Sequence, residues 1–263
     1  MPVTLEVDDR SVATLTLDRP AKRNALDRPM LESLLDVTSD LERRGDIRAV
    51  VVRGAGGTFC AGADIAEWVN PSGPVAADLS RLGRSAFAAV AALPVPSVAL
   101  IEGAAVGGGF ELALACDVRV AADDALLGFP ELRLGNLPAW SGLARLVEIT
   151  GLGVARHLLL TGELVDGERA GALGIVTAVA ESNGLSRKLA EVVDGFLACE
   201  PTALTLAKQV LAGYHHDLPL EPALAAFTAG LESSRSRKQA FLDRRAAARR
   251  GRAVTTTRIG AAS

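Results

Sequence analysis

Two glutamates stand where an acid is costly to place. Glu111 follows Gly107-Gly108-Gly109 and is set among Phe110, Leu112, Ala113, Leu114 and Ala115. Glu131 follows Pro130 in the apolar stretch Leu127-Gly128-Phe129-Pro130-Glu131-Leu132. Carboxylates are seldom buried unless something holds them. Three successive glycines let the backbone approach a ligand closely and leave N–H groups free at a helix N-terminus, where a negatively charged oxygen is favoured. The chemistry this suggests is an anion or oxyanion hole with an acid/base beside it. A plainer reading stands next to it. Glu111 would then only favour the helix dipole of a tight strand-to-helix turn, and Glu131 would be an ordinary loop acid.

The elements that must position these residues can be read from pattern. Val98 to Ile101 is a buried strand leading into the glycine-rich turn from Gly103 to Gly109 and a short apolar helix. Arg48 to Arg53 is a second buried strand, and it runs into a second glycine-rich loop, Gly54 to Asp64. Each Val-rich strand thus ends in glycines, so two backbone donors from separate strands can converge on one oxygen. Before them, Thr4–Val7 and Val12–Leu17 read as a hairpin around Asp8-Asp9-Arg10-Ser11. A helix capped by Asp27 follows and stops at Gly45. Asn70-Pro71-Ser72-Gly73-Pro74 reads as a loop, and 75–93 as a helix ended by Pro94. Trp140, in the turn-rich stretch 135–142, either lines a pocket or packs. Beyond it the pattern predicts helices at 143–150, 154–160, 166–172, 185–199, 202–213 and 221–232, with strands at 118–121 and 175–179. Strands punctuated by helices without a GxGxxG turn argue for an α/β chain with no Rossmann site.

Composition narrows the classes. The 263 residues are 49% hydrophobic but only 4% aromatic, so the core is built from Ala, Val and Leu. A net charge of -3 gives no global reason to expect nucleic acid or an acidic membrane. Cys60, Cys116 and Cys199 lack metal or redox spacing and read as reduced thiols of a cytoplasmic protein. No apolar run is long enough to span a bilayer, and the N-terminus has no signal-peptide pattern. His157, His215 and His216 make no ligand set, so no metal is expected; His215-His216-Asp217 reads as a solvated loop. From Ser233 the chain is basic, with Arg235, Arg237, Lys238, Arg244, Arg245, Arg249, Arg250, Arg252 and Arg258. That segment reads as a solvated helix, as a contact to ligand phosphates across a subunit interface, or as a weak RNA site.

Asp18-Arg19-Pro20 with Asn24-Ala25-Leu26, Phe59-Cys60-Ala61-Gly62-Ala63-Asp64-Ile65, Ile101-Glu102-Gly103 through Glu111, and Phe129-Pro130-Glu131-Leu132-Arg133-Leu134-Gly135 together resemble the enoyl-CoA hydratase/isomerase (crotonase) superfamily. Thr161-Gly162-Glu163 and Phe241-Leu242-Asp243-Arg244-Arg245 extend the resemblance over essentially the whole chain. It implies an α/β fold, a crotonase-like spiral of ββα units over 1–200. A C-terminal helical trimerisation region with a basic tail is implied over 201–263, in a homotrimer or a hexamer made of two trimers. It implies an acyl-CoA thioester as substrate, coenzyme A being part of that substrate and no separate cofactor being needed. The oxyanion donors implied are the N–H groups of Ala61 and Gly108. Lys22, Arg23, Ala63, Asp64 and Ile65 fall where the family lines the CoA nucleotide, and Arg244 where a neighbouring subunit reaches its phosphates.

Both matching acids, Glu111 and Glu131, are present, as in the family's hydratases. The resemblance therefore implies syn addition of water to a trans-2-enoyl-CoA, with Glu111 activating the water and Glu131 protonating the α carbon. Isomerisation, C–C hydrolysis and thioester hydrolysis on the same scaffold are the alternatives, then non-catalytic binding of acyl-CoA or RNA. The stretch Pro138-Ala139-Trp140-Ser141-Gly142 departs from the family's glycine-rich pattern, and Trp140 there is expected to shorten or reshape the acyl pocket.

Overall fold

A computed structural model describes residues 1–69, 71–213, 227 and 230–259, with the backbone alone at 245, 246 and 248–259. Asn70, the His215-His216-Asp217 stretch and most of the helix expected over 221–232 lie outside the described residues. So do the side chains of Arg245, Arg249, Arg250, Arg252 and Arg258. The chain divides into two compact units, Met1–Ala198 and Cys199–Ser263.

The first unit opens with the hairpin β1 (Val3–Val7) and β2 (Val12–Leu17), then α1 (Arg28–Arg43), β3 (Ala49–Gly54), α2 (Ile65–Trp68), α3 (Gly73–Ala92) and β4 (Ser97–Ile101). It continues through β5 (Ala104–Val106), α4 (Gly108–Ala115), β6 (Val118–Ala122), β7 (Leu126–Gly128), α5 (Gly142–Thr161), β8 (Leu164–Val165), α6 (Gly167–Ala172), β9 (Ala178–Ala180) and α7 (Leu185–Ala198). One sheet has the order β1-β2-β3-β4-β6-β9, antiparallel only between β1 and β2. Its parallel strands are joined by crossovers that carry helices, which cover the sheet and bury strands such as Ser97–Ile101 along their whole length. That burial is why β3 and β4 read as unbroken Val-rich runs rather than as alternating ones.

A second, smaller sheet, β5-β7-β8, collects the short strands β5 and β7, which follow β4 and β6, together with β8, which follows α5. Gly103 (φ 62°) turns the chain from β4 into β5, so β4-β5-α4, like β6-β7-α5, is a long strand, a short strand and a helix. This is the spiral of ββα units implied by the resemblance. The stretch expected to be only a glycine turn, 103–109, therefore contains β5, and the helices expected at 143–150 and 154–160 are the two arms of α5 on either side of a kink. Gly151 (φ 78°, ψ 164°) breaks α5 internally, which is the break that the sequence pattern registered. Asp27 caps α1 as expected, accepting from the Met30 N–H at 3.0 Å. The second unit contains α8 (Pro201–Ala212) and α9 (Glu232–Ile259).

Candidate active site

The two glycine-rich loops lie side by side. Cys60 pairs with Ala105 of β5 on one edge, while Leu26 pairs with Ala63 on the other. The Cys60 N–H donates to Ala104 O (2.8 Å), the Val106 N–H to Cys60 O (3.1 Å) and the Leu26 N–H to Gly62 O (2.8 Å). Asn24, wholly buried, ties the first loop down from behind, its Nδ2 donating to Ala55 O (2.9 Å) and Thr58 O (2.6 Å). Gly62 (φ 102°) is one place where the loops come close: a β-carbon there would lie 2.7 Å from Val106 O and 3.5 Å from the Gly108 nitrogen. A side chain at 62 would push the loops apart, so glycine is required for their approach.

This packing corrects one expected donor. The Ala61 N–H is spent, donating to Arg23 O at 2.9 Å. The Ala63 N–H, two residues on, donates to no acceptor among the described residues, and Ala63 lines the same cavity as Gly108. The Gly108 N–H opens α4 and has no partner there either, as the first N–H groups of a helix lack intrahelical acceptors. Ala63 and Gly108 are therefore two cavity-lining residues whose N–H groups have no acceptor among the described residues.

Glu111 and Glu131 line this cavity, whose volume is about 340 Å³. Glu111 sits on α4, a helix buried on every side, and is itself only 2% exposed. Its Oε1 accepts from the backbone N–H groups of Trp140 and Gly142, both at 2.8 Å. Ser141, between those donors, takes the left-handed conformation (φ 73°, ψ 9°) as the N-cap of α5. That turn aims both flanking N–H groups at one carboxylate oxygen, an anion-binding concavity at a helix N-terminus. Gly142 is needed because a β-carbon there would overlap the Glu111 side chain. Burial raises the Glu111 pKa, and the N–H donors with the nearby Arg145 charge offset part of that rise.

Glu131 heads a 3-10 turn, Glu131–Leu134, and its carboxylate lies over the glycine turn. A β-carbon at Gly107 would fall 2.8 Å from Glu131 Oε1. Its Oε2 is buried without a hydrogen-bond partner among the described residues. Burial is the first cause that pushes its pKa up to about 7, and the neighbouring Glu111 charge adds to it. Around neutrality Glu131 is thus partly protonated.

The other expected site residues divide. Ile65 lies at the cavity and is exposed, and Trp140 lines it while being 2% exposed. Lys22 and Arg23 are exposed on the turn whose Arg23 carbonyl holds Ala61. The Asp64 carboxylate is engaged structurally: it pairs with Arg19 (3.0 Å) and caps α2 through the Ala66 N–H (3.2 Å). Partial burial pulls its pKa upward, but Arg19 and the Ala66 N–H outweigh burial and keep it below its ordinary value. Arg244, on α9 in the second unit, is exposed. Sequence reasoning missed the Ser141-Gly142 seat of Glu111 and the part played by Arg19. The motif carrying Asp18-Arg19-Pro20 and Asn24 was the available signal for the latter.

Two acids and two open N–H donors around one cavity accompany a match to the sequence model described as enoyl-CoA hydratase/isomerase, which covers residues 8–245. The chain belongs to that family. The family acts on acyl-CoA thioesters. The mitochondrial methylglutaconyl-CoA hydratase of Mus musculus is 36% identical over 78% of this chain and 67% of its own length. The short-chain-enoyl-CoA hydratase of Clostridium acetobutylicum is 33% identical over 80% of each chain. Among solved structures, the enoyl-CoA hydratase of Bacillus anthracis superposes with a TM-score of 0.88 at 30% identity, over 93% of this chain and 97% of its own. No helix among the described residues is long and apolar enough to cross a membrane.

Proposed function

We propose that the protein is an enoyl-CoA hydratase, adding water across the double bond of a trans-2-enoyl-CoA to give a 3-hydroxyacyl-CoA. The observation that carries this reading is the unequal pair of acids: Glu111 held by backbone N–H groups, and Glu131 holding a proton beside an unpartnered buried oxygen. The thioester carbonyl sits between the Ala63 and Gly108 N–H groups, which stabilise it more as an enolate than in the ground state. Ionised Glu111 takes a proton from water as the water oxygen bonds to the β carbon. The C=C electrons move onto the carbonyl oxygen, and as they return Glu131 gives its proton to the α carbon. Both acids act on the same face of the substrate, so addition is syn. Glu111 ends protonated and Glu131 ionised, and a proton passed back from Glu111 to Glu131 resets the site.

In this reading coenzyme A is part of the substrate and no further cofactor is required. Lys22, Arg23 and Ile65 flank the CoA, and Arg244 serves the CoA of a neighbouring subunit within a homotrimer or a hexamer. The test is loss of enoyl-thioester absorbance when the protein is mixed with short, medium and branched trans-2-enoyl-CoAs, with Glu111→Gln and Glu131→Gln alongside. Turnover by the wild type, lost in both variants while CoA binding is kept, is the expected result. CoA binding without turnover of any of these substrates would contradict the hydratase reading and direct product analysis to isomerisation and hydrolysis.

A further inference from the structure

Trp140 is wedged between two helices in a way that its place beside the acids does not require. Its six-membered ring lies against Gly108 at the start of α4, and its pyrrole edge lies against Gly83 on α3. A β-carbon at either glycine would overlap the ring. Phe87 meets the ring edge-on at 5.3 Å and Trp68 at 6.3 Å. Ser80 Oγ donates to Ala139 O (3.2 Å), and Arg145 donates to both Trp140 O (3.2 Å) and Phe87 O (3.4 Å). Positions 80, 83 and 87 share one face of α3, so a single stripe of that helix is shaped to receive this loop. The indole Nε1–H is buried with no partner among the described residues, so packing rather than a hydrogen bond fixes the ring. In an interior packed at crystal-like density a side chain so enclosed does not swing aside.

We propose that Trp140 is the specificity-determining residue of this site: a fixed wall, next to the oxyanion donor Gly108, that restricts it to short acyl groups. The proposal rests on the acyl-CoA reading above and narrows it to a substrate class. Because the ring lies against Gly108 itself, the wall stands close to the thioester carbonyl, and few carbons fit between the reacting atoms and the indole. The surroundings of the ring, Trp68, Gly83, Phe87 and Gly108, carry no charge. Removing the indole therefore leaves an apolar space joined to the cavity, on the scale of the ~150 Å³ voids that admit a benzene-sized guest.

The test is a calorimetric binding series with saturated butanoyl-, hexanoyl-, octanoyl-, dodecanoyl- and hexadecanoyl-CoA against the wild type, Trp140→Phe and Trp140→Ala. Saturated thioesters cannot be hydrated, so the series reads acyl length even if turnover of enoyl-CoAs is absent. Each methylene that is buried tightens binding about fourfold. The wild type is expected to gain affinity only to hexanoyl and to lose it at dodecanoyl. Trp140→Ala continues the gain through octanoyl to dodecanoyl, binding the latter at least about tenfold tighter than the wild type, and Trp140→Phe lies between. A wild type that binds dodecanoyl-CoA as tightly as hexanoyl-CoA overturns the proposal whether or not the variants fold. So does a folded variant that keeps the wild-type length profile.

Discussion

Glu111 and Glu131 face one cavity with the same functional group, and the protein treats them differently. Glu111 is the more deeply buried, yet it is Glu131 whose pKa is pushed up to about 7. The difference lies in what each carboxylate meets. The 139–142 turn sends two N–H groups to Glu111, whereas Glu131 keeps a buried oxygen with no donor among the described residues and faces the charge of its neighbour. Burial alone does not set the two pKa values: at Glu111 backbone dipoles work against it by stabilising the charged form. The contrast also explains why the strained Ser141 and the bare Gly142 stand together after Trp140.

The largest break in this contrast is removal of the held acid. Glu111→Gln keeps an oxygen for the Trp140 and Gly142 N–H groups but cannot take a proton, and kcat falls by about 10²- to 10⁴-fold with KM little changed. Steady-state kinetics on an accepted enoyl-CoA checks it. Gly142→Ala attacks the seat rather than the acid. Its β-carbon displaces the Glu111 side chain, so kcat drops by roughly 10²-fold, and urea denaturation shows a loss of about 1–3 kcal/mol from overpacking.

Glu131→Gln separates the acids through stability. Folded Glu131 retains its proton up to about 7, whereas an unfolded glutamate releases it near about 4.3. Between those values the folded state binds more protons, so wild-type stability falls as pH rises through the window and levels off above it. Urea midpoints at about pH 4 and about pH 8 will show a smaller decline for Glu131→Gln than for the wild type. The smallest effect is that of Ser141→Gly. A left-handed non-glycine costs on the order of 1–3 kcal/mol, partly offset by the greater chain entropy of glycine. The variant gains about 0.5–1 kcal/mol in thermal unfolding and keeps its kcat.

Much of this was legible in the residues. The Val-rich runs of β3 and β4, the glycines after each, and both acids declare themselves because buried parallel strands and misplaced carboxylates are rare patterns. The short strands β5, β7 and β8 were not legible, since two or three residues carry no period and pair only once the spiral has formed. The choice between Ala61 and Ala63 was hidden for a related reason. The two N–H groups differ only in their surroundings, and the carbonyl of Arg23, far away in sequence, takes that of Ala61. The seat of Glu111 was hidden because its donors lie about thirty residues downstream, on a turn whose only signal was Ser141-Gly142 after the tryptophan.

Titration of the carboxyl groups distinguishes which of the two acids keeps its proton towards neutrality. Carbon-13 NMR of glutamate-labelled protein, wild type and the two glutamine variants, resolves which group titrates near neutrality. A titration at about 7 is expected in the wild type, vanishing in Glu131→Gln and surviving, shifted downward, in Glu111→Gln. A near-neutral titration that vanishes in Glu111→Gln and persists in Glu131→Gln would contradict it.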